Sequence, residues 1–415
     1  VWDTKLYTLT AHVYRVTMPV GPLSSLRVVD FTTMISGGFT AATLADFGAD
    51  VVTVEHPEKT DPIREWKPIK NGESMWWKSL GRNQRCVTLD LSLEEGQEVA
   101  RELVADADVV LENFRSGTME RWNLGYEDLK TVNEGIVMVR ITGYGQTGPK
   151  SDKPGFGSVA EGISGWAHSN GFPESDPLLP PIPLADLTAG QYAAQSAVYA
   201  VFDREMSEGD EGQMIDVSLY EPLFRLFIGK VEAYDAMDYV SERTGNRSEN
   251  SAPRNMYETA DGYVALSASS QRIFENVMDA IDREELIDDP RFETNADRLD
   301  NVEELDAIIE KWTLERSTGE VIEVMEASDA IVGPIYDMED IFDDAHYQAR
   351  GNIVSVDDPD LGEVKTHGIV PKYSRTPGEV SHLGPSTGEH NDEVYLDEVA
   401  LDEERYERLR DGGVI

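Results

Sequence analysis

LRVVDFTTMISGGFTAATLADFGADVVTVEH, residues 26–56, is the stretch that decides the fold. LRVVDFT is apolar and β-branched enough to read as a strand, ISGG as a turn, FTAATLADFGA as a helix and DVVTVEH as a second strand. Two such strands joined through a helix form a right-handed βαβ unit of a parallel sheet. Gly37 and Gly38 are expected to turn the backbone into the helix, whose N-terminus suits an anion. Glu55 ends the second strand, where a dinucleotide-binding protein keeps its ribose-reading acid. The loop does not spell GxGxxG, however, which argues against a nicotinamide or flavin site.

Working outward, the alternation of strand and helix continues. CVTLDL (86–91) reads as a strand and LEEGQEVARELVADA (93–107) as an amphipathic helix. DVVLENF (108–114) is a strand, and IVMVRITGYG (136–145) is another that runs into a Gly-rich loop. The Gly- and Pro-rich segment that follows is too long for a structureless connection without a function. It leads into PLADLTAGQ (183–191) and the helical pattern YAAQSAVYAVF (192–202). Asp186 stands where that loop becomes a helix, among backbone N–H groups that lack partners. The position suits an ordinary helix cap, and equally a carboxylate that must stay ionised and attack something.

Past a further strand in MIDVSLYEPLFRL (214–226), the composition from Arg243 to Pro253 turns polar and linker-like. MYETADGYVALSAS (256–269) reads as a hairpin around Asp261 and Gly262. Helical patterns over 271–287, 302–312 and 318–327 complete a smaller α+β domain. From Val332 strands and turns return, and the chain ends in an acidic helix, LDEERYERLRDGGVI. The expected organisation is an N-terminal extension (1–17), a large α/β domain (18–242), a linker and small domain (243–331), and a C-terminal part (332–415) returning to the large domain. The extension stands apart because it lacks the acidic bias of the rest, and Met18 looks like a more natural start.

The 415 residues carry 79 acidic against 36 basic side chains, a net charge of −43 spread along the whole chain. Repulsion on that scale is tolerable in concentrated salt, where the Debye length falls to roughly 3 Å at 1 M. The composition therefore reads as halophilic, adapted to a salt-filled cytoplasm of the haloarchaeal kind. No basic stripe exists to neutralise phosphates, which argues against nucleic acid as a partner. No apolar run has membrane-spanning length and no signal peptide is evident, so a cytoplasmic protein with no membrane partner is expected. A single cysteine, Cys86, in a strand-like context excludes an internal disulfide and any cysteine metal cluster, and no metal site is expected.

The motifs PLSSLRVVDFT, LADFGADVVTVEHP, GRNQRCVTLDL, ADVVLENFRSG, ITGYGQTGP, LADLTAGQYAAQSAVYAVF, GQMIDVSLYE, ADGYVAL, DDPRFETNADRLDN, VGPIYD and GPSTGEHNDEV occur in this order from about Gly21 to the C-terminus. In that order the chain resembles the family III CoA-transferases of the formyl-CoA and carnitine CoA-transferase type, a family that also contains the 2-methylacyl-CoA racemases. The resemblance implies a Rossmann-like large domain, a smaller α+β domain and an interlocked homodimer. It implies no permanently bound cofactor, with coenzyme A entering as part of the acyl-CoA substrate and a carboxylic acid as its acceptor.

Asp186 matches the family's nucleophile, which attacks the acyl-CoA thioester to give a mixed anhydride and then an aspartyl-CoA thioester. The resemblance also implies a CoA site made of Ile35, His56, Leu89, Ser92, Asn113, Phe114, Arg115, Arg121, Lys153 and Gly157. Asn113 to Arg115 match the adenine loop and Arg121 a phosphate contact. His56 and Ser92 stand where relatives carry fixed positive charge, and Arg82 or Arg85 is the expected compensation. Phe156 takes the place of the racemase branch's histidine and cannot move a proton, which favours transferase over the alternative, a 2-methylacyl-CoA racemase or epimerase; His168 lies nearby in sequence. Ile35 and Ser36 replace a polar group that handles formyl units, which points to a larger acyl group: C4 to C5 dicarboxylates such as succinyl-CoA and mesaconate.

Overall fold

The computed structural model describes residues 21–415; the proposed extension over 1–17 lies outside the described residues. The described residues divide into two compact units, one made of 21–155, 186–219 and 352–415 and the other of 156–185 and 220–351. These limits differ from the expected ones at both joins. Residues 332–334 stay with the second unit because Val332–Pro334 pairs with a strand of its sheet, so the chain returns to the first unit only at Asn352.

With elements numbered along the chain, the first unit is built on β1 (Arg27–Asp30), β2 (Asp50–Glu55), β5 (Arg85–Thr88), β6 (Val109–Glu112), β7 (Val137–Thr142) and β8 (Met214–Ser218). All neighbours are parallel, in the order β5-β2-β1-β6-β7-β8. β3 (Ile69–Lys70) and β4 (Glu73–Ser74) form a two-residue ribbon inside the β2–β5 connection. The crossovers carry α1 (Met34–Asp46), α2 (Met75–Leu80), α3 (Glu94–Val104), α4 (Thr118–Arg121), α5 (Tyr126–Lys130) and, between β7 and β8, the 23-residue α8 (Leu184–Met206). The central strands are buried on both faces, as their near-continuous Val, Ile and Leu content requires.

The sheet order reverses direction between β1 and β6. In open α/β sheets the crevice beyond the carboxyl ends of two such strands is where ligands bind. The C-terminal segment completes the core of this unit: Val394, Tyr395, Tyr406, Leu409, Val414 and Ile415 join Val29, Val52, Val87, Leu103 and Val110. Tyr395 donates its hydroxyl to the Thr88 carbonyl at 2.9 Å.

The second unit contains the short helices α6 (Gly157–Ile163) and α7 (Trp166–Ser169), followed by α9 (Glu221–Arg225) and α10 (Lys230–Met237). Its sheet is antiparallel: β9 (Arg254–Glu258), β10 (Tyr263–Ser267) and β11 (Val332–Pro334), with Tyr263 opposite Glu258 across the expected turn. Against it pack α11 (Gln271–Ala280), α13 (Val302–Thr313) and α14 (Thr318–Ala327) through Phe274, Ile309, Val321 and Met325. The pattern over 271–287 ends early as an α-helix, because Asp282 takes a left-handed φ of 55° and a short 3-10 turn follows at Glu284–Leu286. α12 (Asn295–Asp300), α15 (Met338–Asp343) and α16 (Ala345–Ala349) complete this unit. In the first unit the chain ends with a hairpin of β12 (Ile353–Asp358) and β13 (Gly362–His367), then α17 (Glu403–Asp411). Among the described residues no helix is long and apolar enough to cross a membrane.

Candidate active site

The loop from β1 into α1 departs from the expected turn at Gly37 and Gly38. Helix α1 already begins at Met34, and Met34 itself makes the turn with a φ of 67°. Gly37 lies inside the helix for a different reason: a Cβ there would sit 1.9 Å from the Thr32 hydroxyl oxygen, so only glycine allows the first turn to close on the loop.

That loop stands at the switch point. Across the gap between β1 and β6, Thr33 donates its N–H to Asn113 Oδ1 at 3.0 Å and accepts from Asn113 Nδ2 at 2.6 Å. The Asn113 amide therefore ties the β1 loop to the β6 loop. The next residue, Phe114, packs edge-on to Trp122 at 5.1 Å and gives its N–H to buried Glu112 at 2.8 Å. Glu112 is held in turn by Arg140 at 2.5 Å, and Arg140 reaches on to Glu120 at 2.6 Å. Arg115 is exposed, and no hydrogen bond or ion pair holds its side chain among the described residues. Arg121 is exposed too and bonds Thr118 Oγ1 at 2.9 Å.

Asp186 is the third residue of α8, inside its first turn, and is partly buried. A helix N-terminus favours the anionic form by roughly 0.3–1 kcal/mol. One turn further along, Gly190 lets α8 meet α1 at backbone distance: a Cβ on it would lie 2.7 Å from the Ser36 carbonyl oxygen, and Thr40 Oγ1 donates to the Gly190 carbonyl at 3.2 Å. Leu187, next to Asp186, packs on the cluster of Ile35, Ile63, Trp77, Leu80 and Cys86. The N-terminal halves of the two helices are thus brought together. Ile35 and Ser36 belong to the turn of α1 whose N–H groups have no intrahelical acceptor. Donors of that kind suit a developing oxyanion.

The other sequence-derived positions fall at separate places. His56 follows β2; its Nδ1 accepts from Glu58 N at 3.0 Å and its Nε2 lies 3.5 Å from Asp90. Leu89 is buried after β5, and Ser92 is exposed with its hydroxyl on Asp90 at 2.6 Å. Lys153 is exposed in the Gly/Pro-rich segment. Gly157 opens α6 in the second unit, preceded by Phe156, which is 65% exposed; His168 is on α7 of that unit.

The expected compensation by Arg82 or Arg85 is not what the structure gives. Arg82 forms a two-pronged pair with Asp46, and Arg85 is spent on Asp50, Glu393 and Glu398. Both partner sets come from distant sequence, which is why the two arginines look available in isolation. Glu55 is likewise occupied. Arg64 pairs with it at 2.6 Å while stacking over Trp77 at 3.7 Å, leaving no carboxylate for a ribose. Cys86 is fully buried, with its thiol 2.7 Å from Glu55, and burial pushes its pKa far up; it is inert.

Two buried acids escape the sequence reading. Asp30 ends β1, accepts from Thr32 N at 2.9 Å, and is raised by burial to about 7. Asp61 accepts from Met34 N at 2.7 Å and Ile63 N at 2.9 Å. The only local signal for Asp61 is Asp before Pro62, the pattern of a cap with proline at the first helical position.

Residues 23–391 match the family described as CoA-transferase family III. The chain is 40% identical over 399 residues to succinyl-CoA–D-citramalate CoA-transferase of Chloroflexus aurantiacus, covering 96% of this chain and 99% of that protein. It is 38% identical to the beta subunit of succinyl-CoA–L-malate CoA-transferase of the same organism, covering 95% and 98%. Among solved structures, a CAIB/BAIF family protein from Brucella suis superposes with a TM-score of 0.81 at 30% identity, over 91% of this chain and 99% of that one. A likeness that runs through both units, and that includes the switch-point loops and the start of α8, leaves one assignment: the chain belongs to the family III CoA-transferases.

Proposed function

We propose that the protein moves CoA from succinyl-CoA to a C4 to C5 dicarboxylic acid, mesaconate or a close analogue, with Asp186 as the covalent carrier. The observation that carries this reading is the docking of the N-terminal half of α8, whose first turn holds Asp186, onto the N-terminal half of α1 that follows β1. Relatives that use succinyl-CoA with citramalate or malate support the substrate class.

The chemistry follows without a general base, because a carboxylate is already ionised near pH 7. The Asp186 oxygen attacks the thioester carbonyl; the C–S bond breaks and CoA leaves as thiolate beside a mixed anhydride. The thiolate then attacks the aspartyl carbonyl, releasing succinate and forming the aspartyl-CoA thioester. The acceptor carboxylate attacks that carbonyl, regenerating thiolate and a second anhydride. Attack of the thiolate on the acceptor's carbonyl delivers the new acyl-CoA and frees Asp186. No net proton is consumed.

In this reading Ile35, Leu89, Asn113, Phe114, Arg115, Arg121, Lys153 and Gly157 contact CoA, and His56 and Ser92 line its phosphate end. Arg115 and Arg121, exposed beside the switch point, are the cations best placed for phosphate. The working form is an interlocked homodimer in a salt-rich cytoplasm, as the charge of −43 and the family pattern suggest. Exposed Phe156 supports transfer over racemisation, because it offers no proton.

The test incubates the enzyme with succinyl-CoA, traps with hydroxylamine or borohydride, and maps the modified residue by mass spectrometry. Modification at Asp186, absent in Asp186→Ala, is expected. Exchange of the α-hydrogen with no CoA transfer would replace this reading with the racemase one.

A further inference from the structure

The loop Thr32–Thr33–Met34 hangs from three side chains on three different segments. Thr32 N donates to Asp30 Oδ1 at 2.9 Å, Thr33 N to Asn113 Oδ1 at 3.0 Å, and Met34 N to Asp61 Oδ2 at 2.7 Å. Met34 is held in the left-handed region at a φ of 67°. Of the nine non-glycine residues with positive φ among the described residues, seven are Asn or Asp, which tolerate that conformation; Met34 and Ala400 are the exceptions. A long side chain persists there only when its surroundings over-determine the backbone, and such sites gather where function needs them.

Asp61 is itself rigid. It is 7% exposed, its other oxygen accepts from Ile63 N at 2.9 Å, and its own N–H donates to Glu55 Oε1 at 3.1 Å. The residues directly after Met34 are Ile35 and Ser36, which meet Leu187 and Gly190 of the helix that carries Asp186. If Met34 relaxed to an ordinary negative φ, the first turn of α1 would swing and its N–H groups would leave their place beside α8.

We propose that Asp61 is a positioning residue for the chemistry at Asp186: by clamping Met34 N–H it holds α1 in its left-handed start against the helix that carries the nucleophile. The inference rests on the reading of Asp186 as nucleophile. Asp61 touches no substrate; it acts through the backbone it fixes, so its loss should appear in kcat and not in acyl-CoA binding.

The test compares Asp61→Ala, Asp61→Asn, Met34→Gly and the double variant Asp61→Ala/Met34→Gly by steady-state kinetics and by the rate of Asp186 trapping. Asp61→Ala should lower kcat and the trapping rate about tenfold to a hundredfold, as misplacement by an ångström does, with KM for succinyl-CoA within about twofold. Asp61→Asn, which keeps one carbonyl acceptor, should lose less. Met34→Gly alone is the reference for the double variant, which should recover much of the rate lost in Asp61→Ala, because glycine adopts the same φ unaided. A purely structural role moves thermal stability without this pattern of rescue. Wild-type kcat in Asp61→Ala overturns the inference, as does a double variant no faster than Asp61→Ala. Should Asp61→Ala not fold, wild-type trapping rates in Asp61→Asn overturn it and slowed trapping supports it. A wild-type enzyme without CoA transfer sinks the reading of Asp186 itself, which is a separate result.

Discussion

Replacing Asp30 by Asn should make the protein more stable above neutral pH. Asp30 is 1% exposed, and burial raises its pKa from the ordinary 3.8 to about 7. Its hydrogen bonds from Thr32 and Thr53 favour the ionised acid but only partly offset the burial. The Thr53 hydroxyl lies 2.7 Å from Gln84 Oε1 and 3.4 Å from Asp30 Oδ2, so what it donates to the acid is weak. Thr32 N donates to the other oxygen in either state. An asparagine keeps that acceptor and brings no charge to be buried.

The sign follows from linkage. Between pH 3.8 and 7 the unfolded chain has lost this proton and the folded chain keeps it. The stability it provides is therefore whole below the unfolded value and is lost as pH rises through the folded one. About three pH units at 1.36 kcal/mol each give a total on the order of 4 kcal/mol. Between pH 5 and 8 the part still to be lost is ~3 kcal/mol, and at ~2 cal/mol/K per residue this is about 3 °C in Tm for a chain of this length. The assay is thermal unfolding of both proteins at pH 5 and pH 8 in the same high KCl. Wild type should lose about 3 °C more than Asp30→Asn over that interval. Parallel pH profiles, or a variant equally destabilised at both values, would refute the reasoning.

Gly190→Ala places a methyl 2.7 Å from the Ser36 carbonyl and 3.2 Å from the Phe39 ring, so it should cost about 1–3 kcal/mol of stability and lower kcat about tenfold when read by kinetics on the folded fraction. Arg115→Ala removes an exposed cation with no ion pair among the described residues; KM for succinyl-CoA should rise about tenfold, with kcat and Tm unchanged. With a net charge of −43, Tm should climb steadily from 50 mM to 2 M KCl, and a flat profile would argue against salt adaptation.

The parallel unit was legible because βαβ periodicity is local: strands and helices over 26–56 and 86–142 lie close to where apolar spacing puts them. The hairpin at Asp261 and the helix over 318–327 were legible for the same reason. What was hidden depends on partners far away in sequence. Gly37 looks like a turn residue until Thr32 is seen against it, and the turn is made instead by Met34, whose unusual φ needs Asp61. Arg82 and Arg85 look like free cations until Asp46, Asp50, Glu393 and Glu398 close on them. Val332–Pro334 looks like a return to the large sheet until its pairing with Val264–Leu266 assigns it to the smaller one. Asp186 was visible as an acid at a helix start, but the helix that carries it meets α1 through Gly190 and Thr40, 150 residues apart in the chain.

The most direct test of the central claim follows oxygen. When the acceptor carboxylate attacks the aspartyl thioester, one of its oxygens stays on Asp186 after the acyl group leaves as a thioester. Turnover with an oxygen-18-labelled dicarboxylate acceptor should therefore leave the Asp186 peptide heavier by one label and pass oxygen-18 into the succinate released in later cycles. An enzyme that transfers CoA efficiently while Asp186 and the released succinate both remain unlabelled would contradict covalent carriage by this residue.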